Sequence, residues 1–173
     1  QGWYAPEVHR CQLNLLDSHD VPRALHTLKR DVAALSLALL MLMLQPGAPC
    51  LYYGPEVGLE GGPEPACREA MPWEAPWPHD LRSMIVLLTK IRQQVEAVRE
   101  RGLTWQATTP DGLVGRAPGV VIVVNRSRRK ALPLESHDVA KVGWETNGAL
   151  VGTYDGRRHV LGPQSAVLFK ALE

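Results

Sequence analysis

The sequence predicts an α/β segment followed by an all-β domain, and three observations carry this reading. Two short apolar runs, CQLNLL at 11–16 and APCLYYG at 48–54, each end in a polar loop and are each followed by a helical stretch. The character of the chain changes after Gly102, where short β-type runs begin. Turn residues punctuate those runs at intervals of roughly 8 to 12, the spacing of an antiparallel sandwich.

CQLNLL is mostly apolar, as expected of a strand covered on both faces in a parallel sheet. From about Ala24 to Leu44 the spacing is that of one helix, and its second half is apolar all round, so it must be covered on more than one side. Pro46 and Gly47 stop it. APCLYYG reads as a second strand, followed by a loop full of Gly, Pro and charge through Pro78. Residues 80–99 return to helical spacing, with Leu81, Met84, Ile85, Leu88, Ile91, Val95 and Val98 on one face. This order is a βαβα segment, and in such folds sites collect in the loops after the C-terminal ends of strands. Residues 1–102 therefore read as one domain and 103–173, from LTWQATT through GVVIVVN to SAVLFKAL, as a second, all-β one. Two parallel strands cannot close a sheet, and open edges invite pairing, so 1–102 reads as the end of a barrel begun elsewhere.

At 173 residues and 45% hydrophobic, the chain can bury a real core. Nineteen Lys and Arg against 18 Asp and Glu leave a net charge of +1, which excludes the electrostatic footprint of a nucleic-acid or anionic-membrane binder. The longest apolar run, Val32 to Leu44, falls short of the roughly 20 residues needed to cross a bilayer. Cys11, Cys50 and Cys67 have no CxxC spacing, so neither a zinc site nor a disulfide framework is supported. Three free thiols fit a reducing, cytoplasmic setting.

One stretch stands apart. LLDSHDVPR, at 15–23, crowds Asp17, His19 and Asp20 between an apolar run and a proline. Such crowding marks either an acidic turn or the rim of an active site, because charges are buried only when paired or used. Taken in order, NLLDSHDVPR, then PGAPCLYYGPEVGLEGGPEPACREAMPWE, then VVIVVNRS resemble the C-terminal portion of an α-amylase-family enzyme (glycoside hydrolase family 13). The neopullulanase, cyclomaltodextrinase and maltogenic amylase group is the nearest in kind. The likeness runs from about residue 11 to the end, and the GG-x-[DE]-P-x-x-R loop with MPW behind it is its most specific part.

The resemblance implies that CQLNLL and APCLYYG are the seventh and eighth strands of a (β/α)8 TIM barrel, that 80–99 is the last barrel helix, and that a β-sandwich follows. It implies hydrolysis of α-glucosidic bonds with retention, which uses a carboxylate nucleophile and a carboxylic acid about 5–5.5 Å apart. The family adds a third carboxylate that stabilises the transition state, and Asp20 matches it. His19 matches the histidine that donates to the same sugar. Glu64 and Arg68 match the acid and arginine that hold the sugar two units away on the non-reducing side. The usual acid there is Asp; Glu64 is one methylene longer, so specificity can shift. Tyr53 either lines the cleft or is a packed aromatic. Asp17 is read as a turn residue, and Arg23 as reaching the cleft or pairing with Asp17. Trp73 and Trp77 are read as packing the loop rather than stacking on sugars. Pro55 stands where the family commonly has Asp, while Tyr53 and Glu56 are retained.

The resemblance puts the nucleophile and general acid ahead of Gln1, and Glu7, which precedes the first strand, does not replace them. The chain therefore reads as part of a retaining α-glucan hydrolase. A trehalose-synthase or glucanotransferase member of the same family, and a non-catalytic sugar-binding or assembly fragment, are the alternatives. The expected partners are an α-glucan, maltooligosaccharide or cyclodextrin, the N-terminal portion of the barrel, and a second copy forming a homodimer on the open edges. No nucleic acid and no membrane are expected, no metal ligands are assigned, and no cofactor is required, with calcium left open for the complete enzyme. The 173-residue chain alone is expected to release no sugar from cyclodextrin or pullulan, because a stabilising carboxylate without nucleophile or acid has nothing to assist. Measurable release by the pure chain overturns this.

Overall fold

The computed structural model describes residues 5–77, 80–134, 144–146 and 148–171. The chain divides into two compact units, Gln1–Gly102 and Leu103–Glu173.

In the first unit a short helix α1 (Pro6–Arg10) leads into β1 (Leu13–Leu15), which pairs in parallel with β2 (Ala48–Cys50) in the register Leu13↔Ala48 to Leu15↔Cys50. Both strands are shorter than the apolar runs that encode them. Asn14 secures the pair from its side chain, donating to Pro46 O at 2.6 Å. Gly47 sits beside it at φ +89°, with His9 O only 2.9 Å from where a Cβ would stand, so the approach of the chain to β1 requires glycine. The expectation that β1 is covered on both faces does not hold: Leu13 and Leu15 are exposed on one face.

The single helix read over 24–44 is two helices, α2 (Ala24–Thr27) and α3 (Val32–Met43). Lys29 and Arg30 adopt φ of 57° and 62°, a left-handed corner that no helix can pass. Asp31 then restarts the helix, its carboxylate accepting from Ala34 N at 3.0 Å. Apolar residues all round α3 are used as expected, with Leu35, Leu37, Leu39, Leu40, Leu42 and Met43 all buried. Leu35 and Leu39 form a core with Ala24, Leu25 and Leu81.

Residues 80–99 likewise divide, into α4 (Leu81–Gln94) and α5 (Glu96–Arg101), at Val95, whose ψ of 89° is outside the helical range. The predicted face survives the break: Leu81, Leu88, Ile91, Val95 and Val98 are buried. From α4, Arg92 caps the C-terminus of α3. Its Nη1 donates to Met43 O and Gln45 O, both at 2.8 Å, and its Nη2 to Gly47 O. A guanidinium satisfies orphan carbonyls and opposes the negative end of the helix dipole at once. Desolvation, with Arg99 nearby, lowers the Arg92 pKa, but an arginine stays charged across the physiological range.

The second unit is antiparallel throughout. One sheet runs β3 (Thr104–Ala107), β4 (Gly112–Ala117), β5 (Val120–Asn125), β11 (Ser165–Ala171) and β7 (Trp144–Glu145), with β8 (Ala149–Val151) also on β11. The other runs β6 (Leu132–Pro133), β10 (Val160–Leu161) and β9 (Tyr154–Asp155). Val114, Val121, Val123, Val167 and Phe169 from the first meet Leu161 and Leu134 across a common core, with Leu132 and Tyr154 against it. Asn125 closes this unit's interior. Its Nδ2 donates to Lys130 O and Gly162 O at 2.8 Å and its Oδ1 accepts from Ser127 N at 3.0 Å, so a buried amide is fully used.

Replacing Arg92 with Met keeps the stem and removes the caps from three carbonyls. This substitution is expected to destabilise the first unit by about 2–3 kcal/mol, read as a lower urea midpoint for its unfolding transition.

Candidate active site

Parallel strands deliver their following loops to the same end, so residues 16–23 after β1 and 51–69 after β2 emerge side by side. The first loop is held by Asp17. Its side chain is buried, and Oδ2 accepts from Ala24 N at 2.8 Å, satisfying the first turn of α2 from seven residues upstream. Asp17 is therefore the turn residue it was read as, and the other two members of the cluster point away from it into solvent.

His19 and Asp20 are 61% and 66% exposed, with His19 Nε2 3.0 Å from Asp20 Oδ1. The Asp20 amide donates to Ser18 Oγ at 3.1 Å, fixing the tip of the turn. From the second loop Arg68 reaches across. Its Nε donates to His19 O at 3.0 Å, and its Nη2 lies 2.8 Å from Glu64 Oε1 and 3.7 Å from Asp20 Oδ1. Cys67, fully buried, donates its thiol to the same His19 carbonyl at 3.2 Å. Four of the five predicted site residues, His19, Asp20, Glu64 and Arg68, are thus one contiguous cluster. Two carboxylates share one guanidinium, all solvent-facing.

Tyr53 does not join that cluster directly. Its hydroxyl donates to Glu69 O at 2.6 Å, and its ring meets Tyr52 edge-on at 4.6 Å. Arg23, 1% exposed, lies over both rings at 4.2 and 4.3 Å from their centroids, and its Nη1 donates to Tyr53 O. It forms no ion pair with Asp17 among the described residues, and its Nε and Nη2 have no hydrogen-bond partner. Desolvation first, then Tyr53, push the Tyr52 phenol up while Arg23 pulls it down, so it is neutral beside the cation. The Tyr52 ring in turn lies 6.4 Å from that of His19.

Gly61 of the second loop has a steric reason. A Cβ on Gly61 would stand 3.0 Å from Cys67 Cα and closer still to the Ala66 peptide, whereas one on Gly62 would meet the His26 ring only at ordinary contact, 3.4 Å. Glu60, just before them, takes Arg30 Nε and has His26 Nδ1 at 3.5 Å, tying the loop to the corner between α2 and α3. Pro55 is buried in a single 3-10 turn, and Glu56 Oε2 accepts from Gly54 N at 2.7 Å. Of the two tryptophans, only Trp73 departs from expectation. Trp77 is half-buried, with Nε1 donating to Pro72 O, but Trp73 is 74% exposed and does not pack the loop.

Sequence reasoning missed the Arg23–tyrosine stack, the Cys67 thiol on His19 O and the Glu60 tie. The tandem Tyr52-Tyr53 was a visible signal for the first; nothing local announces the other two. Chemically, the cluster offers carboxylate acceptors, guanidinium donors and an imidazole on an open surface, which is hydroxyl-binding chemistry. Among the described residues no three His, Cys, Asp or Glu form a metal-holding group, and no helix is long and apolar enough to cross a membrane.

No protein-family profile matches the chain. It is 33% identical over 135 residues to a cyclomaltodextrinase of Geobacillus thermopakistaniensis, a match that takes in 74% of this chain and 23% of that protein. To the intracellular maltogenic amylase of Bacillus subtilis it is 35% identical over 101 residues, 57% of this chain and 17% of that one. Among solved structures it superposes with a TM-score of 0.74 and 31% identity on a cyclic α-maltosyl-(1→6)-maltose hydrolase from Arthrobacter globiformis in complex with maltose, over 94% of this chain and 36% of that chain. The chain thus spans less than a quarter of the length of these curated relatives.

The two aspartates of the first loop are expected to separate cleanly in unfolding experiments. Asp17→Ala should cost about 1–2 kcal/mol, since it strands a buried amide. Asp20→Ala, at an exposed position, should stay within about 0.5 kcal/mol of the parent.

Proposed function

We propose that this chain, the C-terminal portion of an α-amylase-family (glycoside hydrolase family 13) enzyme, supplies the glucan-gripping half of a retaining α-glucan hydrolase of the cyclomaltodextrinase and maltogenic amylase kind. The observation that carries the reading is Arg68 bridging Asp20 and Glu64 at 3.7 and 2.8 Å across the loops that follow two parallel strands. In that reading β1 and β2 are the seventh and eighth strands of a (β/α)8 barrel, residues 1–102 are its closing segment, and residues 103–173 are the β-sandwich that follows it.

Asp20 accepts hydrogen bonds from ring hydroxyls that strengthen as the sugar approaches an oxocarbenium ion, which lowers the barrier rather than merely tightening binding. His19, held 3.0 Å from Asp20, donates to the same ring. Glu64 and Arg68 hold the sugar two units away on the non-reducing side, the carboxylate accepting and the planar guanidinium donating. Nucleophile and general acid come from the preceding barrel portion, which docks on the open edge of β1. An α-1,4- or α-1,6-linked maltooligosaccharide or a cyclodextrin is the substrate, and the cytoplasm, as for a relative named intracellular, is the setting. A homodimer of the complete enzyme is part of this reading, with no cofactor required and calcium left open for the complete enzyme.

The test is Asp20→Asn in the complete enzyme. Loss of a group that acts only in the transition state should lower kcat by about a thousandfold with little change in KM. An unchanged kcat on cyclodextrin and maltotriose refutes the assignment.

A further inference from the structure

We infer that Arg23 is a positioning residue, a planar cation clamped between the two loops that holds His19 and Asp20 opposite Glu64 and Arg68. This rests on the glucan-binding reading of the cluster above. Arg23 makes no hydrogen bond or ion pair with that cluster among the described residues, yet it joins the two loops at several points. Its own amide donates to Gly61 O at 2.9 Å, joining the first loop to the glycine pair of the second. Its Nη1 holds the Tyr53 carbonyl, and its plane covers the rings of Tyr52 and Tyr53. Tyr53 passes the hold to Glu69, the neighbour of Arg68, and Tyr52 stands beside His19.

The two donors without partners identify what kind of hold this is. A buried arginine is normally neutralised by an acid, and here Nε and Nη2 meet none. The cation is held by the faces of two aromatic rings instead, an interaction that strengthens when desolvated and that needs a flat, weakly hydrated ion. Lysine has the charge without the plane, and its strongly hydrated ammonium will not stay buried between two rings. The role is therefore specific to guanidinium rather than to positive charge.

The experiment uses the 173-residue chain with two readouts. Cys67, buried and bonded to His19 O, reports whether the loops are docked, and exposed Cys11 serves as the internal standard. Peptide-resolved iodoacetamide labelling of Arg23→Lys is expected to raise the Cys67-to-Cys11 rate ratio about tenfold, as local opening exposes the thiol. Calorimetric titration with maltotriose is expected to show affinity weakened by a similar factor. Val98→Ala, a cavity at a fully buried position of α5 outside both loops, should lower the melting temperature and leave both readouts unchanged. If Arg23→Lys fails to fold, Tyr52→Leu removes one ring face with the charge intact and must give the same two changes.

An unaltered Cys67 ratio in these variants, or an equal rise in Val98→Ala, overturns the inference. Should the parent chain bind no maltotriose, the glucan reading fails by itself, and the labelling ratio still decides the role of Arg23.

Discussion

Because β1 and β2 run parallel in the register Leu13↔Ala48 to Leu15↔Cys50, the chain must leave both strands at one end and return between them to the other. The helices α2 and α3 provide that return, and Gly47 and Arg92 make it tight at the far end, one by lacking a side chain and the other by capping three carbonyls. Everything at the near end follows. Residues 19 and 68, forty-nine apart in sequence, share a hydrogen bond because the strands beneath them are neighbours. Were the pairing antiparallel, the two loops would lie at opposite ends and Asp20 could not meet Arg68.

The cluster that results is poorly suited to stabilising the fold. Its ion pairs are exposed, and exposed pairs contribute about 0–1 kcal/mol, whereas Asp17 and Arg92 satisfy backbone groups that water reaches less well. Stability and chemistry are thus divided between residues that are close in sequence: Asp17 is buried and structural, Asp20 is three positions on and open. Loose mutual pairing also suits a site that must exchange its partners. Under the proposed reading, a sugar hydroxyl would replace Asp20 on Arg68, or Arg68 on Glu64, with little lost.

How much of this was legible depends on whether the deciding force was local. The HD and GG-x-E-P-x-x-R motifs pointed to the cluster through the family resemblance they carry, because loop chemistry is written in contiguous residues. The faces of α4 and α5 were legible for the same reason, and so were the turns of the β unit, where Pro-Asp-Gly precedes β4. Helix ends were not. The corner at Lys29 and Arg30 interrupts a pattern that is helical on both sides of it, and only the capping signal of Asp31 hinted at a fresh start. Trp73 was misjudged because the burial tendency of tryptophan says nothing about whether a partner is present. The Arg23 stack was missed although the tandem Tyr52-Tyr53 was visible, because pairing it with Arg23 requires knowing that the loops after β1 and β2 lie side by side.

The exposed face of β1 carries the same logic one step further. Leu13 is 63% and Leu15 47% exposed on a strand with one free edge, an arrangement that soluble sheets avoid by covering or charging the edge. Neither device is present among the described residues, and both leucines point the same way, which is the period of a strand facing a core rather than solvent. Burying each of them would contribute roughly 1.5–3 kcal/mol, a substantial return on docking for so short an element. A layer that presents apolar side chains to both leucines would cover this face, and in the proposed reading the rest of the barrel is that layer.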